Sequence, residues 1–178
     1  MLKLILIRHA ESLANAQGIT QGQKIDTFLS ERGKIQARKT AESLKKEKIE
    51  VIFSSDLKRA LATAEEISRL FGKDIILDKR LREKDHGNEA NDEFVKRCKE
   101  FLEDIKKYSG TVVVVGHGGS NKNILATSTG NRLEGSRIFN SSEQYNACVN
   151  KISYENKKWT INSINDVSHL DLKEITKK

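Results

Sequence analysis

Two short runs constrain this chain more than anything else in it: "LKLILIR" from Leu2 to Arg8, and "TVVVVG" from Thr111 to Gly116. Each is nearly continuous in apolar residues, and the second holds four β-branched valines in a row. A strand with one wet face alternates apolar and polar residues, whereas a run without alternation must be covered on both faces. Two such runs require a sheet with helices packed above and below it.

The remaining sequence supplies those helices in alternation with strands. A helix capped by Ser30 places Ala37, Ala41 and Leu44 on one face. A short strand, Val51 to Phe53, closes on Ser54 and Ser55. In "SDLKRALATAEEISRLF", Leu57, Leu61, Ala64, Ile67 and Phe71 recur at spacings of three and four, the mark of an amphipathic helix. "DIILD" predicts a third strand, and Phe94, Cys98, Phe101, Leu102 and Ile105 predict a helix before the valine strand. A short helix is expected around Asn121 to Thr127. The stretch "ANAQGITQGQKIDTF" reads as a polar loop, and "YNACVNKISYENKKWTINSIND" as an edge hairpin turning at Glu155 to Lys157, with Trp159 in a packing role. The expected fold class is α/β: a three-layer α/β/α sandwich with a mostly parallel central sheet, as one domain over residues 1–178.

Charge narrows the partners. A net charge of +7 favours anions, but the lysines are spread along helices and aromatic residues make up only 6% of the chain. That composition offers no stacking platform for nucleic acid, and small phosphorylated metabolites fit it better. No run approaches the roughly 18 apolar residues of a membrane span. Met1 leads straight into a strand without a leader pattern, so a cytoplasmic location is expected. Cys98 and Cys148 stand in no metal-ligand spacing and read as buried thiols. The tail hairpin is compatible with either a free edge or a homodimer seam. The complete lack of proline has no functional reading.

In parallel sheets, ligands gather at the carboxyl ends of the strands. Here the first strand ends in Arg8-His9, and the second in Ser54-Ser55 with Arg59 in the next helical turn. The third is followed by "RLREKDHG", which holds Glu83, and the fourth ends in Gly116-His117-Gly118-Gly119. Two guanidinium groups, two imidazoles and a carboxylate then converge on one place, a set suited to a phosphoryl dianion. Arginine offers forked cationic donors that match phosphate oxygens. A neutral imidazole is a competent nucleophile toward phosphorus when its other nitrogen is held by a hydrogen bond. His117 is expected to be protonated and to donate to the phosphoryl oxygens, with Gly118 and Gly119 admitting backbone amides close to them. Glu83 is placed to protonate the leaving oxygen and later deprotonate water. No metal-ligand cluster and no Walker-type loop occurs, so neither metal nor cofactor is expected.

The ordered blocks "LIRHAES" with Asn15, "QGQKIDTFLSERGKIQA", "IFSSDLKRALATAEEI", "LREKDHG" and "VVVVGHGG" resemble the histidine phosphatase superfamily on its phosphoglycerate-mutase-like branch. The resemblance runs from Leu4 to Gly119 and returns weakly in "NDVSHL". It implies that His9 is the phosphorylated nucleophile, that Arg8, Arg59 and His117 complete the phosphate pocket, and that Glu83 is the proton donor. By the same resemblance Asn15 contacts the phosphate, and Gln21 and Gly22 form a substrate-side loop. Ser12 is either a donor behind the pocket or a cap of its loop. Lys84 and His86 belong either to a solvated turn or to the pocket wall. His169 and the tail lysines read as surface residues. Ala10 replaces the family's usual glycine, and Phe28 stands where proline is common. Phosphoglycerate mutases carry a long basic insertion after the acid, where this chain has only "KDHGNEANDEF". Hydrolysis is therefore expected over transfer to a second hydroxyl, with mutase activity and a non-enzymatic phospho-ligand sensor as the alternatives. Substrate choice is expected to lie in Lys84 to Asn91 and Asn131 to Gln144.

Overall fold

The computed structural model describes residues 1–130 and 144–177. Its eleven principal elements follow the alternation expected from sequence. They are β1 (Leu2–Arg8), α1 (Leu13–Ala16), α2 (Glu31–Ser43), β2 (Ile49–Ser54), α3 (Lys58–Phe71), β3 (Ile75–Leu77), α4 (Asn91–Asp104), β4 (Gly110–Gly116), α5 (Gly118–Ser128), β5 (Val149–Glu155) and β6 (Lys158–Asp166). The sheet runs β3-β2-β4-β1-β5-β6, with the first four strands parallel and the last two antiparallel.

The two apolar runs lie side by side at its centre, β1 pairing with β4 from Leu2–Gly110 to Arg8–Gly116. Successive side chains of a strand point to opposite faces. Leu4, Leu6, Val112 and Val114 accordingly pack on one face against Phe94, Phe101 and Leu102 of α4 and Ile124 and Leu125 of α5. Ile5, Ile7, Val113 and Val115 pack on the other against Ala41 of α2 and Ala60, Ala64 and Ile67 of α3. The result is the three-layer sandwich that continuous apolar strands demand. Burying a strand on both faces contributes about 1.5–3 kcal/mol for each large aliphatic side chain.

The hairpin turns where expected, with Asn156 and Lys157 both at positive φ. That backbone suits the right-handed twist of a two-residue hairpin. Trp159 packs on the Tyr154 ring, with centroids 4.8 Å apart. Two local readings are corrected. The polar loop after β1 contains the short helix α1, because Ser12 and Asn15 form a reciprocal capping box. Helix α5 begins at Gly118, not near Asn121, so Gly118 and Gly119 form its first turn rather than a loop ahead of it.

Candidate active site

Sheet register brings the strand ends level. Arg8 lies opposite Gly116 and Ser54 opposite Val115, and the ladder continues as His9 N–H donates to the Gly116 carbonyl and Ser55 N–H to that of Val115. His9, Arg59 and His117 are almost wholly buried at this end, and Arg8 half-buried. A cavity of about 210 Å³ opens over them, lined by Arg8, His9, Asn15, Gln21, Gly22, Arg59, Glu83, His86 and Lys177 among others.

The His9 ring is held from both sides. Its Nδ1 lies 2.8 Å from the Ala10 carbonyl oxygen, which can only accept, so Nδ1 carries the proton. Arg59 Nε donates to His9 Nε2 at 3.3 Å, which requires a lone pair there. Burial first, and the nearby Arg8 and Arg59 second, hold the His9 imidazole well below the usual histidine range. The ring is thus a neutral base with its nucleophilic nitrogen facing a guanidinium.

Arg59 is fixed by its other donors. Its Nη2 bonds the Gly22 carbonyl at 2.8 Å, and its Nη1 reaches the Ile25 carbonyl and Asp26 Oδ1. Burial lowers its pKa to about 10, which leaves it cationic at neutral pH. Arg8 donates from Nη1 to the Gln144 and Lys177 carbonyls, while its buried Nε has no partner among the described residues. Burial also lowers the Arg8 pKa from its ordinary value.

His117 departs from expectation. Its ring sits 5.1 Å from that of His9, centroid to centroid, and its Nε2 pairs with Ser55 Oγ at 2.9 Å. Complete burial, then the charge of Arg59, pushes its pKa well below the ordinary value, so the unliganded pocket holds a neutral imidazole rather than an imidazolium. Its buried Nδ1 has no partner among the described residues. Gly119 also differs from expectation: its N–H donates to Glu83 Oε2 at 3.0 Å and is directed at the carboxylate. The other oxygen, Oε1, accepts from Lys84 N–H.

The remaining candidates fall as follows. Asn15 spends its Oδ1 on Ser12 N–H, Ser12 Oγ and Asn146 Nδ2, which leaves its own Nδ2 without a protein partner among the described residues. Ser12 is the cap of α1. Gln21 and Gly22 line the cavity, and Gly22, at φ +55, packs against the Lys84–His86 segment. Gly118 and Lys84 line an adjoining cavity, and His86 lines both. One surface assignment is corrected: half-buried His169 lies 3.0 Å from Thr40 Oγ1 through its Nε2, whereas Lys177 is exposed as expected and also lines the pocket. Burial raises both Cys98 and Cys148 to about 12, consistent with inert thiols. Residues 131–143 of the expected specificity region lie outside the described residues; Gln144 is described and binds Arg8 through its carbonyl. Sequence reading missed Asp26, Asn146 and the place of Lys177 at the pocket. Of these, only Asn146 stood in a polar run, "QYN", shortly before β5.

Such a site, cationic and histidine-floored at the carboxyl ends of a parallel sheet, defines a phosphoryl-handling α/β enzyme. A family model described as "Histidine phosphatase superfamily (branch 1)" matches residues 4–92 and 84–167. The chain belongs to that superfamily, and with it to the phosphoric monoester hydrolases. It is 33% identical over 205 residues to a metal-independent phosphoserine phosphatase of Arabidopsis thaliana, covering 94% of this chain and 83% of that protein. It is 31% identical over 207 residues to phosphoglycerate mutase-like protein 4 of the same plant, covering 95% and 87%. The fold matches a phosphoserine phosphatase of Entamoeba histolytica crystallised with 3-phosphoglyceric acid, with a TM-score of 0.81, 24% identity and coverage of 95% and 99%.

Proposed function

We propose that this chain, acting as one domain, hydrolyses small phosphomonoesters through a phosphohistidine on His9. The observation that carries the reading is the enforced tautomer of His9: Nδ1–H spent on the Ala10 carbonyl, Nε2 bearing its lone pair beside Arg59.

The substrate phosphoryl group sits over His9 with its oxygens toward Arg8, Arg59 and the Asn15 amide. His117 Nδ1, without a partner among the described residues, donates to one of those oxygens. His9 Nε2 attacks phosphorus, the ester P–O bond breaks, and protonated Glu83 gives its proton to the departing oxygen. The arginines stabilise the charge that spreads over the equatorial oxygens. Glu83, now a carboxylate, takes a proton from water; the resulting hydroxide attacks phosphorus, the P–N bond breaks, and phosphate leaves. Hydrolysis is favoured over mutase transfer because only Lys84 to Ala90 separate the acid from α4, too little chain to shield the intermediate from water. The 33% identity to a metal-independent phosphoserine phosphatase supports an amino- or hydroxy-acid phosphate as substrate.

His9→Ala tests the reading on p-nitrophenyl phosphate without added metal. We expect turnover to fall at least ten-thousand-fold, and acid-labile ³²P-labelled protein to disappear from rapid-quench samples. Retained turnover, or labelling of the variant, would remove His9 from the chemistry.

A further inference from the structure

Past Glu83, the phosphate pocket continues into a second cavity of about 460 Å³. Arg8, Glu83, His86 and Lys177 line both spaces. The route between them therefore passes the carboxyl group assigned to the leaving oxygen, and a group carried by that oxygen has room to extend into the second cavity.

The wall it meets is cationic. Lys122 lies one helical turn beyond Gly118 in α5, on the same face, and both line the cavity. Its side chain is half-buried, yet it makes no hydrogen bond or ion pair among the described residues. The ammonium of Lys84, also on this wall, is bonded among the described residues to the neutral amide oxygen of Asn91. Among the described residues, Glu83 is the one carboxylate lining the cavity, and backbone amides occupy both of its oxygens. An ammonium group drawn out of water without a counter-charge is a cost that an anionic ligand group removes.

We infer that Lys122 anchors a subsite for a carboxylate carried by the leaving group, so that the preferred substrates are phosphate esters of small hydroxy acids rather than of neutral alcohols. This rests on the assignment of His9 and Glu83 above. Within it, Lys122 is a specificity-determining residue: it touches the part of the substrate that does not react, and its contact persists through the transition state.

Two substrate pairs isolate the carboxylate: 3-phosphoglycerate against glycerol 3-phosphate, and O-phosphoserine against O-phosphoethanolamine. For at least one pair we expect the wild-type kcat/KM to favour the acid tenfold or more. Lys122→Gln should collapse that ratio toward one, mainly through KM, and Lys122→Arg should keep most of it. Lys158→Gln, at the start of β6, lowers net charge equally and should leave the ratio intact. A wild type without preference in either pair, or a preference that survives Lys122→Gln, overturns the subsite while aryl phosphate turnover leaves the phosphatase reading standing. No turnover of the aryl ester by the wild type would take both down.

Discussion

The floor and the wall of the pocket are built in different ways. The floor comprises Arg8, His9 and His117, which hang on strand ends fixed by the central ladder, and Arg59, in the first turn of α3 and pinned by the Gly22 and Ile25 carbonyls. Shifting Arg8, His9 or His117 means breaking hydrogen bonds at the end of the central sheet, and shifting Arg59 means moving α3 or unpairing a buried guanidinium. The wall comprises Glu83 to Ala90, Gln144 to Asn146 and the tail to Lys177, tied mainly by side chains reaching backbone. Arg97 donates to the carbonyls of Arg80, Arg82 and Glu83 and pairs with Glu89. Gln36 Nε2 holds the Glu174 carbonyl at 2.6 Å, and Asn146 N–H the Thr176 carbonyl at 2.8 Å. Chemistry that must not vary sits on the rigid part, while selection among leaving groups sits on a part that changes by exchanging single side chains.

Two glycines make that contrast measurable. Gly33, in the first turn of α2, lies so close to the segment after His9 that a Cβ would stand 1.9 Å from the Glu11 carbonyl oxygen and 2.9 Å from its carbon. Both are backbone atoms, pinned further by Ser30 N–H on the Glu11 carbonyl and by Gln36 Oε1 on Glu11 N–H. Neither side can yield cheaply. Gly33→Ala should therefore cost about 3 kcal/mol, at the upper end of overpacking effects, and lower Tm by about 10 °C in a chain of this size. An unchanged Tm would mean that the floor is no stiffer than the wall.

Gly119 is the wall's counterpart. A Cβ there would meet Glu83 Oε1 at 2.2 Å, the far end of a flexible side chain. Gly119→Ala should preserve the fold, since alanine is the better helix former by about 1 kcal/mol. It should instead swing the carboxyl group away from the leaving oxygen. Gly119 is thus a positioning residue. We expect kcat for an alkyl phosphate to fall about a hundredfold, within the usual worth of a general acid, and for p-nitrophenyl phosphate much less, because nitrophenolate departs without a proton. Equal losses on both esters would indicate a structural lesion and not a displaced acid.

The same division explains what was legible in the sequence. The floor could be read because residue type and strand period fix it: an apolar run ending in Arg8-His9 has one place to put them once β4 lies alongside. The protonation of His117 could not, since it depends on full burial beside Arg59 and not on sequence position. The start of α5 at Gly118 rather than near Asn121 is hidden because glycine ordinarily disfavours a helix, and the bond from Gly119 N–H to Glu83 is visible only in three dimensions. Asn146 and Lys177 reach the site from more than a hundred residues away, carried by chain reversals that leave no periodic trace. Lys122 was hidden for another reason: in sequence it is one more lysine on a helix, and only the absence of a partner among the described residues sets it apart.

The smallest effect expected concerns the charge state of the floor itself. His9 and His117 are held well below 6.5 in the folded chain, chiefly by burial, whereas the unfolded chain binds a proton at each near that value. Below about pH 6.5 the unfolded state therefore takes up protons that the folded state refuses, so stability is complete above that pH and falls as the solution becomes more acidic. Each such histidine costs about 1 kcal/mol between pH 6.5 and 5.5. The lowered carboxylates Asp56, paired with Arg82, and Glu89, in the wall, add nothing in that interval, because their unfolded counterparts titrate near 3.8 and 4.5. Urea denaturation of wild type and His117→Gln at the two pH values separates this term from whatever the substitution costs outright. The wild type should lose about 1 kcal/mol more than the variant on acidification, and equal losses would mean that His117 is already protonated in the folded pocket. For the same reason the acid limb of kcat/KM should lie below pH 6.5, since His9 keeps its lone pair there.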